Sequence, residues 1–161
     1  YDDWEKLVRL GRYLKTRPRL VIWYKFQSVP AQLETYSDTD WAGCRRTRRS
    51  TTGGYATYGS HLIKMWCKTQ AVIALSSAEA ELYGIVRGSA ETLGLMSMYK
   101  DMGEHIEGTV LGDASAALAV IQRRGLGKLR HLDTNFLWVQ EVAAKKQLEY
   151  QKVYGLSLIH I

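Results

Sequence analysis

Three carboxylates stand where a sheet-based active site would want them. Asp38 ends a short strand-like run that begins at Leu33, Glu81 lies in the first turns of a long helical pattern, and Asp113 follows the brief apolar run Thr109-Val110-Leu111. Side chains from two strand ends and a neighbouring helix can converge on one point beside a sheet. Their mutual repulsion then calls for a cation, and hard oxygen ligands favour Mg2+ or Mn2+. Two such ions can stabilise both the attacking and the leaving oxygens of phosphodiester hydrolysis. The chain carries 16 acidic residues, and any such number yields some triplet, so spacing alone does not single this one out.

The elements that would carry these residues can be read from periodicity. Trp4, Leu7, Val8 and Leu14 recur at helical spacing, which predicts a helix over residues 3–15 that ends before Pro18. Val21 to Phe26 is β-branched and aromatic and reads as a strand closed by Pro30. Leu33 to Asp38 is a second strand. Gly54 to Tyr58 and Leu62 to Lys68 form a hairpin across Gly59-Ser60-His61. In its second arm Ile63, Met65 and Cys67 alternate with Lys64 and Lys68, which predicts that the first set faces the core. The period then changes. Ser76 with Glu79 three residues on is a capping box, and Leu82, Ile85, Val86, Leu93 and Met96 carry a helix to about Met102, where Gly103 stops it. After the strand at 109–111 come an Ala-rich helix (114–122), a helix over 134–146 and a final strand over 148–153. From Leu33 onward the order β-β-β-α-β-α-α-β fits an α/β domain, a mixed sheet with helices against it.

Composition narrows the class. The 161 residues are 46% hydrophobic and 24% charged, which excludes global disorder, and the longest apolar run, Ala71 to Leu75, is far too short to span a bilayer. The opening Tyr-Asp-Asp-Trp is acidic where a signal peptide is basic, and the absence of an initial Met is read as a piece of a longer chain. The net charge of +6 is clustered at Arg45-Arg46-Thr47-Arg48-Arg49 and at Arg123-Arg124 with Lys128 and Arg130. Such clusters favour a polyanionic partner, nucleic acid above all, with a merely solvated surface as the plain alternative. Arg48 and Arg49 are the candidate phosphate contacts. Cys44 and Cys67 lack CxxC or paired-His spacing, which argues against a zinc site and a disulfide framework and for a reducing compartment. Gly125-Leu126-Gly127-Lys128 lacks the flanking residues of a phosphate-binding P-loop. Trp41, Trp66 and Trp138 read as core rather than as base-stacking platforms.

At this point several separate motifs, in order, resemble the ribonuclease H domain of copia-type LTR retrotransposon polyproteins. They are Tyr36-Ser37-Asp38-Thr39-Asp40-Trp41-Ala42-Gly43, Arg48-Arg49-Ser50-Thr51-Thr52-Gly53-Gly54-Tyr55, Ala74-Leu75-Ser76-Ser77-Ala78-Glu79-Ala80-Glu81, Gly112-Asp113-Ala114-Ser115-Ala116-Ala117 and Arg130-His131-Leu132-Asp133. The resemblance runs from about Trp4 to Tyr154. It implies a ribonuclease H-like mixed five-stranded sheet flanked by helices, preceded by an N-terminal helix-strand link. It further implies residues 1–30 as the C-terminal link of a reverse transcriptase and residues 31–155 as the ribonuclease H-like domain. The tail Leu156 to Ile161 resembles a translated sequencing adaptor and is set apart from the fold.

The resemblance also assigns roles. Asp38, Glu81 and Asp113 match the catalytic, metal-holding carboxylates, with two Mg2+ or Mn2+ ions expected. Asp40 then marks the strand end, and Glu79 serves the helix cap. The activity implied is endonucleolytic hydrolysis of the RNA strand of an RNA–DNA hybrid during reverse transcription, leaving a 3′-hydroxyl and a 5′-phosphate. The implied partners are that hybrid and the reverse transcriptase of the same polyprotein, in a cytoplasmic particle with the nucleus as a second location. The family's fourth Asp follows the last strand in an Ala-Asp motif, whereas Asp133 precedes a helix and reads as its N-cap. The expectation is a domain cut short before its fourth ligand, weakly active until downstream residues are restored. The rival readings are an inactive nucleic-acid-binding relic and a structural module of the polyprotein.

Overall fold

A two-residue turn at Gly59-Ser60, with Gly59 at φ 60°, sets the register of the sheet. A β-carbon at Gly59 would be strained in that conformation, and the site is crowded by Gln27 and Pro30. The turn joins two strands, the first of which the sequence predicts three residues shorter at its start and the second one residue shorter at each end. In the computed structural model, which describes residues 2–19, 21–125 and 137–153, the order is α1 (Asp2–Thr16), β1 (Gln32–Asp40), β2 (Thr51–Tyr58), β3 (His61–Thr69), α2 (Ser77–Asp101), β4 (Glu107–Gly112), α3 (Ser115–Gln122), α4 (Trp138–Ala144) and β5 (Glu149–Lys152). The five strands form one mixed sheet ordered β3-β2-β1-β4-β5. The first three are an antiparallel meander, β4 runs parallel to β1, and β5 runs parallel to β4. Among the described residues no helix is long and apolar enough to cross a membrane.

Alternation along β1 divides the sheet's two faces. Leu33, Thr35, Ser37 and Thr39 are buried under α2, while Glu34, Tyr36 and Asp38 point the other way. The main core lies on the α2 side, where Leu82, Ile85 and Val86 meet Val110 of β4, Leu118 and Ile121 of α3, and Val139 and Val142 of α4. Each fully buried aliphatic side chain contributes about 1.5–3 kcal/mol. Helix α2 starts at Ser76, whose hydroxyl accepts from the Glu79 amide at 3.2 Å. It ends in a Schellman pattern, with Gly103 N–H donating to Lys100 O and Glu104 N–H to Tyr99 O.

Two expectations need correction. Residues 21–26 are not a strand: they run irregularly past the β2–β3 hairpin and are held by side chains instead of a ladder. The Tyr24 hydroxyl donates to Leu62 O (2.8 Å), the His61 ring to Lys25 O (2.7 Å), and Gln27 Nε2 to Tyr58 O (2.8 Å). β-propensity expresses a fit to a pleated, half-buried surface, and here that surface is missing, with Phe26 101% exposed. The faces of β3 are also the reverse of the expectation. Met65 and Cys67 are exposed on the face away from α2, whereas Lys64 reaches Glu91 of α2. Trp66 decides this, because it lies on the α2 side opposite Gly54, packs with Leu33, Ala56 and Leu95, and carries the alternation with it. Trp66 and Trp138 do pack against the core, but Trp41 is 48% exposed and donates its indole N–H to Ala74 O. The predicted helix over 134–146 is described from Leu137 onward. His131, Asp133 and the tail at 156–161 lie outside the described residues.

The Trp66–Gly54 contact is testable. A β-carbon at Gly54 would lie 2.3 Å from Trp66 Cζ2 and 2.7 Å from the Tyr36 carbonyl oxygen. Gly54→Ala is expected to destabilise the fold by about 1–3 kcal/mol. An unchanged urea midpoint would contradict this packing.

Candidate active site

The topology brings one edge of the sheet to a focus. β1 and β4 are parallel neighbours, so their C-terminal ends emerge together, and α2 returns from β3 with its N-terminus at that same edge. Asp38 lies two residues from the end of β1, Asp113 immediately follows β4, and Glu81 sits in the second turn of α2. A carboxylate oxygen from each of the three lies within 4.8 Å of the others. The N-termini of α2 and α3 both border this cluster, and their partial positive charge favours anions there.

The three acids occupy different surroundings. Asp38 is exposed, with Oδ1 accepting the Thr39 amide at 2.8 Å. Asp113 is half-buried. Glu81 is 9% exposed, and its Oε2 is buried without a hydrogen-bond partner among the described residues. Burial, followed by the charges of Asp113 and Asp38, pushes the Glu81 carboxyl up to about 8, although a hydrogen bond from the Thr39 backbone opposes the rise. A buried carboxyl with one unpartnered oxygen, gathered with two further carboxylates, is a site short of positive charge. The all-oxygen donor set fits a hard divalent cation such as Mg2+ or Mn2+.

The structure thus brings together the three carboxylates singled out from the sequence. Asp40 is not among them: its carboxylate folds over the turn at Gly43, where a β-carbon would lie 1.7 Å from Oδ2. Glu79 closes the helix start, accepting the Leu75 amide (2.8 Å) and the Tyr83 hydroxyl (2.7 Å). Arg48 and Arg49 are exposed on the loop between β1 and β2. That loop is tied by the Cys44 N–H to Arg49 O and the Arg48 N–H to Cys44 O, with Ala42 and Arg48 at positive φ. Cys44 and Cys67 are both free thiols. Sequence reading passed over Thr39, whose amide serves both Asp38 and Glu81. Its place directly after Asp38 was the available signal.

This sheet, with three acids at the β1/β4 edge, has a ribonuclease H-like fold. It aligns with the crystal structure of LC11-RNase H1 in complex with an RNA/DNA hybrid at a TM-score of 0.52 and 15% identity, covering 78% of this chain and 88% of that one. In sequence the chain is similar to retrovirus-related Pol polyproteins of transposons. It is 25% identical over 154 residues to that of transposon TNT 1-94 from Nicotiana tabacum, covering 94% of this chain and 11% of the relative. Against that of transposon RE2 from Arabidopsis thaliana it is 34% identical over 102 residues, 63% of this chain and 7% of the relative. The chain therefore spans about a tenth or less of the length of these polyproteins. No family model matches it.

The raised Glu81 value carries a signed pH dependence. Between about pH 5 and pH 8, Glu81 is protonated in the folded protein but ionised in the unfolded chain. The folded state then binds more protons, so this group's contribution to stability falls as pH rises through that window. In metal-free protein Glu81→Gln is expected to flatten this slope and to be the more stable form at pH 8 by at least about 1 kcal/mol. Urea titrations at a series of pH values measure it, and parallel profiles for the two proteins would contradict it.

Proposed function

We propose that this chain is the ribonuclease H domain of a copia-type retrotransposon polyprotein and cleaves the RNA strand of RNA–DNA hybrids internally during reverse transcription. The observation that carries the reading is the convergence of Asp38, Glu81 and Asp113 within 4.8 Å at the β1/β4 edge. The fold and the transposon relatives support it. Asp38, Glu81 and Asp113 would hold two Mg2+ or Mn2+ ions. Divalent ions at such a site activate a water for attack on a phosphodiester and offset charge on the attacking and leaving oxygens.

The chain's own groups divide the remaining work. Thr39 N–H orients the Asp38 carboxylate through its 2.8 Å hydrogen bond. Glu81 would have to give up its proton to serve as a ligand, which would couple metal binding to proton release near neutral pH. Arg48 and Arg49, on an exposed loop, would contact phosphates of the hybrid without reading its sequence. A-form-like shape and 2′-hydroxyls would supply the preference for a hybrid over duplex DNA. Residues 1–30 would link the domain to the reverse transcriptase of the same polyprotein, working in a cytoplasmic particle.

Two measurements test the reading. Labelled RNA–DNA hybrid is incubated with Mg2+ and the chain, both alone and continued along its source transcript. Cut RNA ending in a 3′-hydroxyl is expected, lost by at least about a hundredfold in Asp38→Asn as a metal ligand is removed. Hybrid binding without cleavage by the continued protein would overturn the enzymatic reading in favour of a binding module. Separately, replacing Arg48 and Arg49 by Ala should reduce the salt dependence of hybrid affinity, lowering the log–log slope by about 1–2. An unchanged slope would remove these arginines from the interface.

A further inference from the structure

Glu81 reaches Asp38 only if α2 lies very close to β1, and the side chains at that crossing show what permits it. Helix α2 contains three glycines. A β-carbon at Gly94 would meet nothing within 4 Å, and one at Gly88 would make only ordinary contacts of 3.5 Å or more. Gly84 is different. There a β-carbon would lie 2.6 Å from Thr39 Oγ1 and 2.9 Å from Ser37 Oγ. Both hydroxyls are buried and without a hydrogen-bond partner among the described residues, so they face the bare helix backbone.

Gly84 follows Glu81 by three residues, on the same side of the helix. Thr39 directly follows Asp38. The contact that fixes the spacing between helix and strand is therefore adjacent to both carboxylates. We propose that Gly84 and Thr39 form a size-matched pair that sets the α2–β1 distance and so positions Glu81 against Asp38 for metal binding. Both are positioning residues, since neither offers a ligand atom to the carboxylate cluster. The inference deepens the metal-site reading above and rests on it.

The sign of the expected effect separates it from simple helix propensity. In a helix interior Ala is intrinsically preferred to Gly, so on propensity alone Gly84→Ala should help the fold. The contact predicts the opposite for the site. Gly84→Ala is expected to weaken Mn2+ binding by about 10–100-fold, the range seen when the supports of metal ligands are altered. Thr39→Ala in the same chain removes the nearest obstacle and keeps the backbone amide. Ser37 Oγ can turn aside without losing a bond, so the double variant should regain affinity to within about threefold, as two coupled neighbours do. Gly94→Ala, in open space on the same helix, should leave affinity unchanged.

Mn2+ titration followed by calorimetry, with circular dichroism to verify folding, gives these values. Crystal structures of metal-free parent and Gly84→Ala proteins add a readout that needs no metal: the Glu81 and Asp38 carboxylates, which share a cluster within 4.8 Å, should stand farther apart in the variant than in the parent. Unchanged affinity in Gly84→Ala, a loss that Thr39→Ala does not restore, or an unchanged carboxylate separation would each overturn the pairing. If the parent itself binds no Mn2+, the metal-site reading fails, while the metal-free structures still decide whether Gly84 sets the spacing.

Discussion

Repulsion among three carboxylates gathered within 4.8 Å, one of them almost fully buried, is the interaction that the rest of the structure must oppose. An isolated chain would spread these groups apart. Here they are fixed by elements anchored elsewhere: Asp38 by the central strand, paired on both sides, and Asp113 by β4, also paired on both sides. Glu81 belongs to a helix whose next residues, Leu82, Ile85 and Val86, are locked in the main core. That apolar burial opposes the unfavourable electrostatics and keeps the three acids together at the ends of the strands.

Helix α2 is where these demands meet. Its beginning is fastened twice, by Ser76 and by Glu79, and Glu79 in turn binds Tyr83 one turn on. Its middle lies on the sheet through polar contacts, Thr92 Oγ1 hydrogen-bonded with Thr35 Oγ1 of β1 at 2.7 Å and Ser89 meeting Tyr150 of β5 at 3.0 Å. Hydrogen bonds of this kind have directional preferences that apolar contacts lack, so they fix the helix against sliding along the strand. The register of α2 on β1 decides which residue of the helix faces Asp38.

How much of this could be read in advance depended on whether the deciding partner was local. The α2 start was legible because its cap lies within four residues, and the alternation along Leu33–Asp38 was legible because period two is a property of one strand. The three carboxylates could be singled out only once the surrounding motifs were weighed together, since their separation in sequence says nothing of their meeting in space. Ile63, Met65 and Cys67 were misassigned because the facing of β3 is set by Trp66 against Gly54, a choice made across the sheet. Val21 to Phe26 misled for a related reason: a β-prone run becomes a strand only where an edge accepts it, and this one is held by side chains instead. Gly84 and Thr39, 45 positions apart in the numbering, left no pattern at all.

The way residues 21–30 meet the hairpin has a consequence for self-association. β3 is an outermost strand of the sheet, the kind of border on which another chain can add a strand of its own. Tyr24 occupies the Leu62 carbonyl, and Gln27 clamps the turn at Ser60, so the preceding segment shields one end of that border without joining the ladder. Further along, Lys64 and Lys68 place charge where a flat apolar strand would invite pairing. The stretch before β1 thus acts as a guard on the sheet's margin, favouring a solitary domain over a stack of them.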